Sequence, residues 1–381
     1  MSATITVASA TEALSHVLDP DLKKDLVSLN MIRDLEVDPQ GGVKVRVVLT
    51  TPACPLKDKI RSDVQQALEG AGATSIDITM DAEVRRSAPP QGGGRPGHGG
   101  HAHKRLEGVR HVIAVASGKG GVGKSTVATN LAVSLAKTGA SVGLLDADIY
   151  GPSTPTMMGL RGARPTLTAD EKIAPLERYG VKLISMGFML KDDDAVVWRG
   201  PMLGKAVEQF LFDVHWGELD YLIIDLPPGT GDVQLSLTQY VPLTGAVVVT
   251  TPQDVAFADV RRAIKMFSMT KTHILGLVEN MSHFECGNCN TKHYIYGDSR
   301  IDAHAAENSL DVLGQLPLDS ITAIAADNGE PIAIAAPKSG AAAGYADLAG
   351  QIAQKIAVLT HGDGARSIGE KFKSFFEMKS A

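Results

Sequence analysis

The sequence predicts a doubly wound, mainly parallel α/β domain preceded by a small α+β domain, and three observations predict it. From residue 109 onward the chain holds continuous apolar runs, "VRHVIAVAS", "SVGLLDAD", "YLIIDLPPG", "GAVVVTTP" and "ILGLVENM", spaced widely enough to leave room for helices. Strands with one wet face alternate in polarity, whereas unbroken Val/Ile/Leu runs are those of parallel strands covered on both faces. The glycine-rich turn "GKGGVGKS" joins the first of these runs to the helical pattern "GKSTVATNLAVSLAKTG", which ends in Gly139. Residues 85–108, rich in Gly, Pro and His and without hydrophobic period, read as a flexible linker between the two domains.

In residues 1–84 the apolar segments "VKVRVVL" (43–49) and "SIDITM" (75–80) alternate as short strands do, framed by the helical stretches "TEALSHVLD" and "CPLKDKIRSDVQQALEGAG". Cys54 falls just ahead of the second helix, where unpaired N–H groups and the positive dipole end are expected to lower a thiol's pKa. In the linker, His98, His101 and His103 read as part of a solvated tract rather than a metal site. The α/β domain is assigned to 109–362 and a C-terminal tail to 363–381. That tail places Phe372, Phe375 and Phe376 among Lys371, Lys373 and Lys379, an amphipathic stretch that either packs on protein or lies on a bilayer.

The turn "GKGGVGKS" fits G-x-x-x-x-G-K-S/T between a buried strand and a helix, the arrangement that holds nucleotide phosphates on backbone N–H groups. ATP is the expected ligand of Gly118, Lys119, Gly120, Gly121, Val122, Gly123, Lys124, Ser125 and Thr126. Lys124 would neutralise the β/γ-phosphates and the Ser125 hydroxyl would coordinate Mg2+. Asp225 ends "YLIIDLPPG" as a carboxylate for a magnesium-bound water, and Gly229 and Gly231 follow in a loop suited to the γ-phosphate. Asp146 and Asp148 end another strand on the same edge, where one of them can orient the attacking water and the other cap the turn. Asn280, just beyond a strand, carries an amide able to read the base with paired donor and acceptor, and "GQLPLD" (314–319) ends an apolar segment on that edge.

A net charge of −6 and a pI near 6.0 give no global reason to bind a polyanion, so nucleic acid is not expected as a partner. The N-terminal stretch has no basic segment followed by an apolar one, and no run of eighteen apolar residues occurs, so a cytoplasmic protein is expected and membrane association is not. Three cysteines make a disulfide framework improbable. Two of them, Cys286 and Cys289, form a C-x-x-C loop in which Gly287 permits a tight turn, so both thiolates can face one metal centre. A four-iron cluster wants four cysteines, and a C2 homodimer supplies the second pair at its axis. Zinc is the rival, either on four thiolates across a dimer or in one chain with His283 and His293, and spacing alone leaves both open. A redox pair is discounted because the loop lies outside a strand-to-helix start.

The spelling K-G-G-x-G-K-S, with Lys119 as an extra lysine, resembles the deviant Walker-A P-loop ATPases, which include nitrogenase iron protein, MinD and the Mrp/ApbC iron–sulfur carriers. The resemblance implies that Lys119 reaches the phosphates of a partner subunit across a two-fold axis, that Asp148 is the water-orienting carboxylate, and that Asn280 binds the base. Within that group "DADIYGPS", "DLPPGTGD" and "ENMSHFECGNCNTKHYIYG" are similar to the Mrp/ApbC carriers. "DPDLKKDLVSLNMIRDLEV" followed by "LTTPACP" resembles the small domain of iron–sulfur assembly factors. Together they imply an ATP-hydrolysing carrier that holds a labile 4Fe-4S cluster at a homodimer interface and passes it to apo iron–sulfur proteins. The alternatives are a MinD-like positioning ATPase at a membrane, for which the C-x-x-C pair has no use, and a zinc-stapled nucleotide switch.

Overall fold

The computed structural model describes residues 5–84, 104–149, 151–189, 200–229, 231–289 and 291–361, which fall into two compact units. The smaller is built from residues 5–84 together with the end of the last helix from Ala353; the larger runs to Ile352. The linker histidines and the 363–381 tail lie outside the described residues.

The smaller unit runs α1 (Val7–Leu14), β1 (Ile32–Val37), β2 (Gly42–Leu49), α2 (Lys57–Gly70) and β3 (Ser75–Ala82). Thr6 caps α1 reciprocally with Ser9, each side chain taking up a backbone N–H that the first turn leaves unpaired. β1 pairs antiparallel with β2, and β2 pairs parallel with β3 through the α2 crossover. Ile60, Val64 and Leu68 recur at helical spacing on α2 and join Val43, Val45 and Val47 of β2 in one core. β1, "IRDLEV", is a strand that the apolar pattern did not announce, because none of its residues is fully buried and Asp34 and Glu36 face water.

The larger unit begins with β4 (Val109–Ser117), α3 (Lys124–Lys137), β5 (Val142–Asp146) and α4 (Thr154–Met157), followed by short β6 (Thr166–Leu167), β7 (Ile173–Ala174) and β8 (Leu176–Arg178). It continues with β9 (Val181–Ser185), α5 (Gly200–Phe212), β10 (Leu219–Asp225), α6 (Asp232–Tyr240), β11 (Gly245–Thr250), α7 (Asp254–Met269) and β12 (Ile274–Glu279). Then come β13 (Phe284–Glu285), β14 (Lys292–His293), α8 (Ile301–Glu307), β15 (Val312–Gln315), α9 (Ser320–Asp327), α10 (Ile332–Ala335) and α11 (Gly340–His361).

Among the described residues these strands form an eight-stranded sheet ordered β15-β12-β11-β4-β10-β5-β9-β8. Every pair is parallel except the edge pair β8–β9, so the sheet is mixed and mainly parallel, as the apolar runs predict. β5, β11 and β12 are buried throughout their length, which accounts for their lack of alternation. The order reverses around β4, so the loops leaving β4, β5 and β10 open together at the carboxyl edge, where α/β sheets bind ligands. Among the described residues no helix is long and apolar enough to cross a membrane.

Candidate functional site

Two sites take shape in the larger unit, and the first is the loop between β4 and α3. Gly121 and Gly123 have φ of +79° and +78°, left-handed values that a residue with a Cβ adopts only under strain. Gly123 is also the N-cap of α3, so the unpaired N–H groups of that helix open into the loop. Gly118 is required for a different reason: a Cβ there would stand 2.4 Å from the Asp259 carbonyl carbon, so α7 packs directly on the loop. Ser117 donates its hydroxyl to the Lys119 carbonyl at 2.9 Å, fixing the turn's first bend.

Lys124, at the start of α3, turns inward and is buried. Its Nζ donates to Asp225 Oδ1 at 2.5 Å and to Ser125 Oγ at 3.2 Å. Asp225 ends β10 fully buried, with its second oxygen, Oδ2, without a hydrogen-bond partner. Burial pushes the Asp225 carboxyl up from its ordinary value; the Lys124 ammonium and the Ser125 hydroxyl oppose this, and the Asp148 charge adds to it. Asp146 sits directly across from Asp225 in the β5–β10 register. Two buried carboxylates on adjacent strands cannot both ionise freely, and Asp146 is pushed up to about 7 by burial and then by the Asp225 charge.

Asp146 accepts from Ser185 Oγ at 2.9 Å and from the Asp148 N–H at 3.1 Å, which gives it the turn-capping place. Asp148 is buried, and its Oδ1 accepts from the Gly151 N–H at 3.3 Å. Asn280 donates from Nδ2 to the Val122 carbonyl at 2.9 Å, so its amide holds the glycine-rich loop from the side of β12. Lys119 is partly exposed, and among the described residues it has no carboxylate partner. A hard divalent cation takes oxygen ligands. The Ser125 hydroxyl and the unpartnered buried Asp225 oxygen are such donors, so these residues fit Mg2+.

The second site is the antiparallel β13–β14 ribbon, extended by the Cys286 N–H donating to the Thr291 carbonyl at 3.0 Å. Cys286 and Cys289 stand at its end, the first half-buried and the second exposed. Cys289 Sγ–H donates to Thr291 Oγ1 at 3.2 Å. Its pKa is lowered, first by the Thr291 hydroxyl, which turns to donate to the sulfur once the thiol ionises, then by the Thr291 N–H and Cys286. His283 Nδ1 is engaged with Ser282 Oγ at 2.8 Å, and among the described residues no three His, Cys, Asp or Glu side chains gather as metal ligands.

Cys54 departs from expectation. It lies ahead of α2 but is half-buried against the small core, and burial pushes its thiol up to about 11, with Asp19 and Asp21 adding to the effect. Desolvation outweighs the helix end that was expected to lower it.

Ser185 and the pair Glu279–Ser299 are functional-site neighbours that the sequence did not flag. Ser185 ends β9, a five-residue apolar strand after a Tyr-Gly turn, and that short run was the available signal. Glu279 and Ser299 are twenty residues apart and meet only through folding.

Comparison with known proteins shows the family. The family described as NUBPL iron-transfer P-loop NTPase matches residues 108–353, and that described as iron-sulfur cluster assembly protein matches residues 8–79. The chain is 44% identical over 361 residues to an iron-sulfur cluster carrier protein of Synechocystis, covering 93% of this chain and 99% of the relative. It is 50% identical over 350 residues to the iron-sulfur cluster carrier protein of Deinococcus radiodurans, covering 91% and 95%. Among solved structures, a nucleotide-binding protein from Archaeoglobus fulgidus in complex with ADP superposes with a TM-score of 0.53 at 42% identity, covering 59% of this chain and 88% of that one.

Proposed function

Because this chain belongs to the iron-transfer P-loop NTPase family, as an ATPase of the Mrp/ApbC deviant Walker-A group with an N-terminal iron–sulfur assembly domain, we propose that it carries a labile 4Fe-4S cluster on a homodimer and hands it to apo iron–sulfur proteins. The observation that carries this reading is the exposed ribbon end, where Cys286 and Cys289 offer two thiolates and no third ligand gathers among the described residues. Two thiolates are half of what a cubane needs, and a two-fold axis supplies the other half. Coordination that breaks when two chains part suits a cargo that must leave.

ATP would bind on the glycine-rich loop with its phosphates on the backbone N–H groups, a reading supported by the α3 N-terminus opening into that loop. Lys124 is held by Asp225 beside the loop and moves to the β/γ-phosphates when they arrive. Ser125 and Asp225 would hold Mg2+, which supplies charge neutralisation at the transferring phosphoryl group. Asp148 orients the attacking water. Lys119, from the partner subunit, adds a second cation to the transition state as an arginine finger does. Asn280 contacts the base with the part of its amide not engaged by Val122. The proposed setting is the cytoplasm, with no nucleic acid partner.

Anaerobic reconstitution followed by iron, sulfide and zinc analysis tests the reading. About four iron atoms per two chains, with a thiolate-to-iron absorption, is the expected result. Colourless protein with tightly held zinc on Cys286 and Cys289 would remove the carrier function and leave a nucleotide switch.

A further inference from the structure

Segment 280–299 leaves the sheet at the end of β12, carries Cys286 and Cys289, and returns just before α8. Both of its ends meet at one buried carboxylate. Glu279, 1% exposed, is the last residue of β12, and its Oε1 accepts from the Ser299 hydroxyl at 2.8 Å. Its Oε2 accepts from Gln315 Nε2 at 3.1 Å, and the same nitrogen reaches Ser299 Oγ at 3.1 Å. Ser299 Oγ in turn accepts from the Ile301 N–H at 3.3 Å, at the start of α8. A buried carboxylate is costly without donors, and here two side-chain donors from separate elements hold it.

The neighbouring residue faces the nucleotide loop. Asn280 is fixed through its N–H to the Thr250 carbonyl at 2.8 Å and through Nδ2 to Val122 of the loop. It packs so closely on Gly123 that a Cβ there would lie 2.2 Å from Nδ2. A shift of the loop on binding phosphate therefore presses on Asn280. Between Asn280 and the cysteine ribbon stand only Met281, which holds a left-handed φ of +57°, Ser282 and His283. Ser282 and His283 are tied to the Leu316 and Leu318 backbone just beyond Gln315, which holds Glu279.

We propose that Glu279 is a positioning residue which, by clasping both ends of segment 280–299, couples occupancy of the nucleotide loop to the exposure of the Cys286 and Cys289 thiols. Neither Glu279 nor Ser299 touches nucleotide or metal in this scheme; each acts through Asn280 and the ribbon. The proposal rests on the nucleotide-binding part of the reading above and uses no iron. Its failure is therefore distinguishable from a failure of the carrier function, which iron content decides.

The experiment is alkylation of the full-length, reduced, metal-free chain by iodoacetamide, mapped by mass spectrometry to Cys286 and Cys289, with and without Mg-ATP. In the wild type, nucleotide should change the alkylation rate by about five-fold or more, the size of an ordinary coupling between sites. Glu279→Ala and the milder Ser299→Ala should bring the ratio to about one while ATP affinity stays within about two-fold. Ser299→Thr, which keeps the hydroxyl, should restore it. A wild-type ratio of one, a wild-type ratio retained in folded Ser299→Ala, or a failure of Ser299→Thr to restore coupling would each overturn the proposal.

Discussion

The glycine-rich loop and the cysteine ribbon lie in one unit of the molecule and are built on opposite principles. At the loop, Lys124, Asp146, Asp148 and Asp225 come from three different elements of the sheet edge and are all buried. Low exposure strengthens each interaction and gathers these groups beside the loop before nucleotide arrives, which favours stabilisation of a phosphoryl transition state. The ribbon has strands of two residues, an exposed Cys289, and two thiolates where a cluster takes four. The difference teaches that the groups one chain brings to the nucleotide loop are gathered and buried, while the proposed cargo is held by a site left open. The thiols repeat the contrast: burial pushes Cys54 up to about 11, whereas hydrogen bonds from Thr291 lower Cys289.

The largest effect expected tests whether the loop stands alone. Lys124→Ala removes the in-chain phosphate cation and leaves the buried Asp225 charge unpaired, so ATP turnover should fall on the order of 10³-fold, measured by phosphate release. Retained turnover would remove the distinction between a preorganised site and an open one. Next, either Cys286→Ala or Cys289→Ala should reduce reconstituted iron to background while ATP turnover stays near wild type, since neither thiol is part of the loop. Loss of turnover together with iron would mean that the two regions are one site.

A smaller effect sharpens the boundary between one chain and two. Lys119→Ala should keep nucleotide binding and lower turnover on the order of a hundred-fold if, as proposed, its cation reaches the phosphates from the partner subunit. Mixing it with Asp148→Ala subunits should restore activity in hybrid dimers, where one active site is intact. Activity equal to the sum of the two separate variants would refute the trans geometry.

The smallest effect reads the strain of burial at the loop. Asp146 has a folded pKa raised from 3.8 to about 7, so it holds its proton longer folded than unfolded. Its contribution to stability is full below 3.8 and is lost as pH rises through about 7. Asp146→Asn keeps a carbonyl oxygen for the Asp148 N–H, turns an amide donor toward the Ser185 hydroxyl and removes the charge. Its melting temperature without nucleotide should match wild type near pH 4 and exceed it by pH 8, and a pH-independent difference would contradict the assignment.

Much of this was legible in the chain because it is local. The loop's glycines, Lys124 and Ser125 are consecutive, and phosphate binding needs backbone geometry that consecutive residues set. The strand runs announced a parallel sheet because burial on both faces leaves no polar alternation to obscure them. β1 escaped because none of its residues is fully buried, and β9 because five residues make a weak pattern. Cys54 was misjudged for a physical reason: position relative to a helix end is written in the sequence, but burial is not, and desolvation outweighed the dipole.

The sequence by itself determined the fold class, the phosphate loop and the thiolate pair, since each depends on short-range order along the chain. Tertiary structure decided which groups share an environment. It set Asp146 against Asp225 across adjacent strands, gave Asp146 to Ser185, turned the Asn280 amide onto Val122, and closed segment 280–299 on Glu279. Those partners are separated by twenty to more than one hundred and fifty residues, and only packing of the sheet brings their charges and donors within bonding distance.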